Sequence, residues 1–84
     1  MLSGIVELDL HKMTKAQAQS AIDAALKKTG GSVYRIRLIH GYHGGTELKR
    51  MILDEYSYGR HDKVIRVVNG SNPGITELVL KELY

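Results

Sequence analysis

The most constraining feature of this sequence is a strict alternation of apolar and polar residues near its beginning, followed directly by a helical capping motif. Val6-Glu7-Leu8-Asp9-Leu10-His11 has the two-residue period of a strand with one buried face and one solvated face. Thr14-Lys15-Ala16-Gln17 is a capping box, in which the side chains of Thr14 and Gln17 satisfy free backbone donors, so a helix starts there. A strand that leads at once into a helix predicts an α/β unit.

Two helices are predicted. The first has an apolar stripe rich in alanine, which indicates close packing on a sheet, and Gly30-Gly31 is expected to end it in a left-handed conformation. The second is expected to have Thr46 as its N-cap and to end before Gly59. The stripe of the first helix is Ala18, Ala21, Ile22, Ala25 and Leu26, and the second helix is marked by the spacing of Leu48, Met51, Ile52, Glu55 and Tyr56.

Three further strands are predicted. Ser32 to Ile39 alternates apolar residues with arginines, and Lys63 to Asn69 does so around Arg66. Ile75 to Lys81 also alternates, although Thr76 could cap a short helix instead. A Pro-Gly turn before β-branched residues favours the strand.

The predicted order β-α-β-α-β-β implies parallel pairing through right-handed crossovers. If the first three strands are neighbours in chain order, both helices cover one face of the sheet and the other face stays open. The predicted fold is therefore α/β, a two-layer sandwich with a mixed four-stranded sheet and both helices on one face, in a single domain over residues 1–84. The open face is expected to carry Glu7, Asp9, His11, Arg35, Arg37, Arg66, Glu77 and Lys81.

Composition excludes several classes of function. Without cysteine the chain has no disulfide framework, no thiolate nucleophile and no cysteine zinc site. No apolar run approaches the ~18 residues of a membrane span and no signal peptide opens the chain, so we expect a soluble cytoplasmic protein that does not bind membranes. Twelve Lys and Arg against nine Asp and Glu give a net charge of +3, which permits a nucleic-acid partner without demanding one.

The candidate catalytic residues lie at the carboxyl edge of the predicted sheet, where open α/β sheets bind ligands. His11 closes the first strand, His40 closes the second, and Asp9 lies one step back on the same face as His11. Imidazoles titrate near neutral pH, so the two histidines are candidates for general base and general acid. Asp9 would fix a histidine tautomer or bind a metal.

The same edge is expected to bind phosphate, because the second helix begins there and its free N–H groups attract anions. Lys49 and Arg50 in the first turn oppose the helix dipole, and a bound phosphate would neutralise them. Tyr42 is a candidate for stacking on a base. The candidate nucleic-acid-binding residues are Lys12, Arg35, Arg37, Gly41, Tyr42, His43, Gly44, Gly45, Thr46, Lys49 and Arg50.

Other interpretations stay open at this point. Asp9-x-His11 and His40-x-x-His43 offer four nitrogen and oxygen ligands that could converge on zinc or manganese, although neither spacing is specific. Each strand-end histidine could be a loop anchor, and Arg35 and Arg37 could be the solvated side of a strand. A Ser-His-Asp hydrolase is disfavoured because no serine lies on a glycine-flanked turn between strand and helix.

Taken together, the motifs resemble the Smr (small MutS-related) domain family. The resemblance is carried by Leu8-Asp9-Leu10-His11 and by His40-Gly41-Tyr42-His43-Gly44-Gly45-Thr46, each placed before a helix, and it covers nearly the whole chain. It implies a fold similar to the C-terminal domain of translation initiation factor three. It also implies nuclease activity, which is nicking of DNA in some members and endonucleolytic cleavage of RNA, including messages on stalled ribosomes, in others.

The resemblance assigns cleavage to the first motif and nucleic-acid contact or catalysis to the loop from His40 to Gly45. Lys12 stands where the family usually has glycine, and His43 takes the place of a loop glycine. The predicted function is an endonuclease that cleaves RNA or nicks DNA, and the alternative is a non-catalytic RNA- or DNA-binding module of ribosomes or repair complexes. We expect a monomer, with Mg²⁺ or Mn²⁺ as the candidate cofactor, above all on DNA, which lacks a 2′-hydroxyl.

Overall fold

A computed structural model of the protein describes residues 4–42 and 45–82. Its elements are β1 (Ile5–Asp9), α1 (Lys15–Lys28), β2 (Arg35–Ile39), α2 (Gly45–Tyr56), β3 (Arg66–Asn69) and β4 (Ile75–Val79). The predicted α/β class and the order β-α-β-α-β-β are confirmed, and the ambiguous last segment is a strand. In the described ranges, neither helix has the length and apolar character that a bilayer span requires.

The strand order is β1-β2-β4-β3, so the expectation that the first three strands are neighbours is wrong. β1 is parallel to β2, whereas β4 is antiparallel to both β2 and β3. The short connection between β3 and β4 makes them an antiparallel hairpin, in which the Gly70 N–H donates to the carbonyl oxygen of Ile75 at 2.9 Å. β4 therefore takes the place beside β2, and this central position explains why Thr76 to Val79 are all buried.

The core lies between both helices and one face of the sheet, as predicted. That face is formed by alternate strand residues, which are Val6, Leu8, Ile36, Leu38, Val67 and Leu78. The helices contribute the residues whose spacing marked them in the sequence, and the buried ones are Ala18, Ile22 and Leu26 of α1 with Leu48, Met51, Ile52 and Tyr56 of α2. Burying such side chains from water is the main force that holds the two layers together.

The start of α1 is as predicted, but its end is not. The Gln17 N–H donates to Thr14 Oγ1 at 3.1 Å, and the Thr14 N–H donates to Gln17 Oε1 at 2.9 Å, which completes the capping box. At the other end, Thr29 is an extended C-cap whose hydroxyl donates to the Leu26 carbonyl oxygen at 2.9 Å. Because this hydroxyl satisfies a free carbonyl of the last turn, the helix ends without a left-handed residue at Gly30-Gly31.

Other predicted boundaries are wrong as well. β1 ends at Asp9, so His11 lies in the turn after the strand, and β2 begins at Arg35 rather than at Ser32. α2 begins at Gly45, so Thr46 lies inside the first turn rather than at the N-cap. β3 begins at Arg66, because residues 61–64 form a turn in which the Val64 N–H donates to the carbonyl oxygen of His61 at 3.1 Å. Lys63, expected in the strand, instead donates through its ammonium to a carbonyl oxygen at the end of α1, at 2.6 Å.

The open face of the sheet carries an ion-pair cluster around one buried glutamate rather than a row of solvated charges. Glu77, expected to be solvated, is only 5% exposed. Its two carboxylate oxygens accept from Arg35 Nη1 at 2.5 Å and from Arg37 Nε at 2.9 Å, and Arg37 also reaches Glu7 at 3.0 Å. Burial alone raises the pKa of Glu77, but the hydrogen bonds from the two arginines outweigh it, and the pKa lies below its ordinary value.

Candidate functional site

The candidate site lies at the sheet edge where β1 and β2 end. The two strands are parallel and Asp9 pairs with Ile39, so their carboxyl ends meet. Gly41 follows β2 with a φ of +84°, and a Cβ atom there would lie 3.7 Å from the Cβ of His11. The left-handed turn at Gly41 therefore places the chain that leads to α2 close to His11, two residues beyond the end of β1.

Asp9 and His11 form a hydrogen-bonded pair at this edge. His11 Nδ1 lies 2.5 Å from Asp9 Oδ1, and the backbone N–H of His11 donates to the same oxygen at 3.2 Å. Both side chains are exposed, by 53% for His11 and 57% for Asp9. The hydrogen bond from the His11 ring lowers the pKa of Asp9, so the carboxylate stays ionised and holds the proton on Nδ1. Nε2 is then the ring nitrogen that can accept a proton from a ligand.

The backbone of Lys12 explains the glycine that the family usually has at this position. Lys12 is exposed and its φ is 69°, in the left-handed region. A residue with a Cβ atom adopts that region at a cost of about 1 to 2 kcal/mol, whereas glycine does so freely. Lys12 thus keeps the turn that glycine favours and adds a cation beside His11.

His40 differs from His11 because it is buried, with 2% exposure. Its Nε2 lies 2.8 Å from Thr76 Oγ1, and its Nδ1 lies 3.1 Å from the carbonyl oxygen of Gly41. A neutral ring satisfies both contacts, with Nδ1–H donating to the carbonyl and Nε2 accepting from the hydroxyl. Burial lowers the pKa of His40 despite the opposing effect of the Gly41 carbonyl. Proton exchange with a substrate, as predicted for His40, requires one of these hydrogen bonds to break.

The neutral state of His40 is expected to make folding stability depend on pH. Because its pKa is below the ordinary value of 6.5, the unfolded chain takes up a proton below that pH that the folded chain does not. The contribution to the free energy of unfolding is therefore full above pH 6.5 and is lost as pH falls from 6.5 through the lower folded-state pKa. Urea unfolding at pH values on either side of 6.5 measures it.

Substitution of the two histidines distinguishes this cause from others. His40→Asn is expected to lower the free energy of unfolding at neutral pH, because Thr76 loses its partner. It is also expected to make the free energy of unfolding depend less on pH. His11→Ala is the matched control, since it removes an exposed ring at the same edge and is expected to keep the dependence of the wild type. An unchanged pH dependence in His40→Asn would show that another group is responsible.

A cleft of about 280 Å³ opens beside His40. The Tyr42 ring stands at the rim and is 62% exposed, so its face is available for stacking on a base. Lys49 contributes a cation from the second turn of α2, and Thr46 contributes a hydroxyl from the first. These are the groups that a phosphate and its neighbouring base require. The cleft is lined by His40, Gly41, Tyr42, Thr46, Lys49 and Pro73.

Three predicted binding cations lie away from this cleft. Arg35 and Arg37 are ion-paired with Glu77 on the open face, in rows further back along the strands than Asp9. Arg50 lines a separate groove between the two helices. The structure therefore brings Lys49 to the site and leaves the three arginines outside it.

A metal centre is not assembled by the described residues. Within residues 4–42 and 45–82 no group of three or more His, Asp and Glu side chains has an arrangement that could hold a metal ion. Of the four predicted nitrogen and oxygen ligands, Asp9 and His11 are in contact, and His40 is buried with its ring nitrogens bonded to Gly41 and Thr76. His43 lies outside the described residues, as does the predicted phosphate-binding Gly44.

Sequence reasoning missed the contribution of the turn between β3 and β4. The N–H groups of His40 and Gly41 both donate to the carbonyl oxygen of Gly74 at 3.0 Å, and Pro73 lines the cleft. Thr76, at the start of β4, fixes the His40 ring. The Gly, Asn and Pro content of this segment predicts only that it is a turn. Its position beside the site depends on the pairing of β4 with β2, which the local sequence does not indicate.

Comparison of the chain with protein-family models gives no match, and comparison with curated proteins gives no significant match. Among solved structures, the chain is similar to the Smr domain of Thermus thermophilus MutS2, with a TM-score of 0.76 and 26% sequence identity. The match covers 92% of this chain and 99% of that chain. It therefore includes nearly all of the fold described above, and it agrees with the family that the sequence motifs resemble.

Proposed function

Because the chain is an Smr domain, we propose that it binds nucleic acid and cleaves phosphodiester bonds at the pair formed by Asp9 and His11. The structural match supports a nucleic-acid-binding domain of nuclease type in general. Cleavage at this pair is supported by one observation above all, the 2.5 Å contact between Asp9 Oδ1 and His11 Nδ1 on an exposed edge. A carboxylate that holds the Nδ1 proton orients the ring and leaves Nε2 as a general base.

His11 acts on RNA by activating the 2′-hydroxyl. Nε2 takes the hydroxyl proton, the 2′-oxygen attacks the adjacent phosphorus, and the bond from phosphorus to the 5′-oxygen breaks. The 5′-oxygen leaves with a proton from water, so the products are a 2′,3′-cyclic phosphate and a 5′-hydroxyl. Asp9 stabilises the imidazolium that forms. On DNA, Nε2 would instead take a proton from a water molecule. The water oxygen would attack phosphorus, one ester bond from phosphorus to oxygen would break, and the leaving oxygen would take a proton from water.

Lys12 and Lys49 hold the phosphate in this proposal. Lys12 follows His11 directly, and Lys49 lines the adjacent cleft with Thr46. Positive groups fixed around the reacting phosphate stabilise the charge that develops on its oxygens. Tyr42 stacks on a neighbouring base, and His40 acts as a positioning residue by holding the Gly41 turn against His11.

Cleavage of end-labelled single-stranded RNA and of duplex DNA tests the proposal. We expect the wild type to cut at least one of them. His11→Ala should cut the same substrate at least about a hundredfold more slowly, because a positioned general base contributes roughly 10²- to 10⁴-fold. The affinity of His11→Ala for the same strand should change little. RNA fragments should end in cyclic phosphates, and reactions with EDTA or with Mg²⁺ or Mn²⁺ show whether a divalent cation is needed.

His61→Ala is the matched control for the loss of a histidine. His61 lies after the far end of α2, where its ring is 5.9 Å from that of Tyr56. The His61→Ala variant is expected to cleave at the wild-type rate. Wild-type cleavage by His11→Ala would refute the role of His11.

The alternative is a module that binds RNA or DNA without cutting it. The burial of His40 favours this alternative, because it removes a second acid or base from the edge. Such a module would bind with modest, salt-sensitive affinity, given a net charge of +3, and would cleave under no condition. A cytoplasmic location, a monomeric state and a ribosomal partner are proposed for either function.

A further inference from the structure

Two clefts lie side by side at the site edge, and Lys49 and Pro73 line both of them. The first is the cleft beside His40. The second has a volume of about 290 Å³, and Gly41 does not line it. Apart from Lys49, the second cleft is lined by Asn69, Gly70, Asn72 and Pro73, at the turn between β3 and β4. None of these residues belongs to the motifs from Leu8 to His11 and from His40 to Thr46.

We propose that the second cleft is a base-reading subsite, in which Asn69 and Asn72 recognise an unpaired nucleobase of the strand that is being cleaved. The proposal rests on the proposed function, because His11 defines the position of the cleaved bond. It names the substrate class more closely, as a single-stranded segment with a preferred base at one position away from the cut.

The order of groups along the edge supports a track for consecutive nucleotides. A Cβ atom at Gly41 would lie 3.7 Å from the Cβ of His11, so the two residues are close, and Gly41 lines the first cleft with Tyr42. The first cleft therefore takes the nucleotide next to the cleaved bond, with its base against the tyrosine ring. Lys49 lies where both clefts meet, so its ammonium is placed to contact the phosphate that joins this nucleotide to the next. The second cleft takes that next base.

The asparagines give the second cleft the chemistry of base recognition. Asn72 Oδ1 accepts from the Gly74 N–H at 2.8 Å, so the group that it can offer a ligand is its amide NH₂. Asn69 is exposed at the end of β3, and in the described part of the chain its amide has no partner, which leaves a donor and an acceptor. Uncharged amides with this inventory pair with donor and acceptor groups on base edges, whereas phosphates are held mainly by cations.

The need to reach a base edge in a cleft implies an unpaired strand. In double-stranded RNA the base edges are committed to pairing or lie in a groove that side chains do not read, whereas single strands can place bases in pockets and on aromatic rings. The exposed ring of Tyr42 and the amides of Asn69 and Asn72 are features that suit a single strand. A paired duplex would leave both clefts empty.

Sequencing of cleavage products from a randomised single-stranded RNA tests the proposal. We expect the wild type to show a base preference at one position, two nucleotides to one side of the cut. Asn69→Ala should weaken this preference by roughly threefold to tenfold, the equivalent of one net hydrogen bond. Lys49→Ala should slow cleavage of all sequences and keep the preference. Ser71→Ala, an exposed change in the same turn, should keep both rate and preference.

The outcomes separate this inference from the proposed function. Cleavage by the wild type without a base preference at that position, or a preference that Asn69→Ala retains, overturns the subsite and leaves the nuclease intact. If no RNA is cut, cleavage of RNA by the pair fails, and the subsite is tested by fluorescence anisotropy on labelled homopolymer RNA oligonucleotides. The subsite is supported if the wild type binds the four homopolymers with different affinities and Asn69→Ala binds them with equal affinity. It is overturned if the wild type binds all four with equal affinity.

Discussion

Replacing Asp9 by asparagine is expected to lower the rate constant of cleavage by about a hundredfold or more, with little change in stability or substrate affinity. An asparagine amide that turns its NH₂ group toward Nδ1 favours the tautomer with the proton on Nε2, so the base is blocked. Among the described residues Asp9 has no side-chain partner except His11, and it is more than half exposed, so the fold does not depend on it. Single-turnover cleavage and equilibrium binding on the same oligonucleotide measure the two effects separately.

A second substitution at the same position identifies how Asp9 acts. Asp9→Ala removes the orienting group without imposing a tautomer, so it should lose less activity than Asp9→Asn. If Asp9 serves only to hold a divalent cation, the two variants should be equally impaired and a higher Mn²⁺ concentration should restore part of the rate. Glu7→Gln, an exposed carboxylate on the same face of β1, is the control. A wild-type rate in Asp9→Asn would contradict a role for the pair in proton transfer.

The elements of this fold are predictable where the signal is local. The alternation that starts at Val6 and the capping box at Thr14 each lie within a few residues. The capping box is present as predicted, and the alternation forms a strand that ends at Asp9 rather than at His11. The sheet order is not local, because it depends on the hairpin that folds β4 back beside β2. The burial of both Glu77 and Leu78 is a consequence of that central position, and a strand pattern with alternating polarity gives no sign of it.

The candidate site divides in the same way. Asp9 ends β1 and His11 lies two residues further on, in the turn after the strand, so their contact is local in the sequence. The partner that buries and fixes His40 is Thr76, 36 residues later in the chain, and no local pattern links the two. Their relation depends on the register of β4 against β2, in which Leu38 pairs with Thr76. The sequence therefore predicted two equivalent histidines where the structure has one exposed and one buried.

Replacing Glu77 by alanine is expected to lower the free energy of unfolding by about 3 kcal/mol, the low end of the cost of removing one partner from a buried ion pair. The change leaves Arg35 and Arg37 without their shared carboxylate on a face where each is about one-third exposed, at 32% and 31%. Partial exposure lets water replace some of the lost contacts, which keeps the cost at the low end. For a domain of this size that is a large fraction of a typical total stability of about 5 to 15 kcal/mol.

Urea unfolding of four variants tests this and identifies its cause. Glu7→Ala removes a carboxylate that is 57% exposed and pairs with the same Arg37, so it should cost no more than about 1 kcal/mol. Arg35→Met should cost less in the Glu77→Ala background than in the wild type, because the arginine has then lost its partner. The difference between wild type and Glu77→Ala should also narrow as pH falls below 4.5, since a carboxylate with a lowered pKa loses its stabilising charge there. Strict additivity of the Arg35 and Glu77 changes would mean that the cluster is held by packing, and that its charges contribute nothing to the stability of the open face.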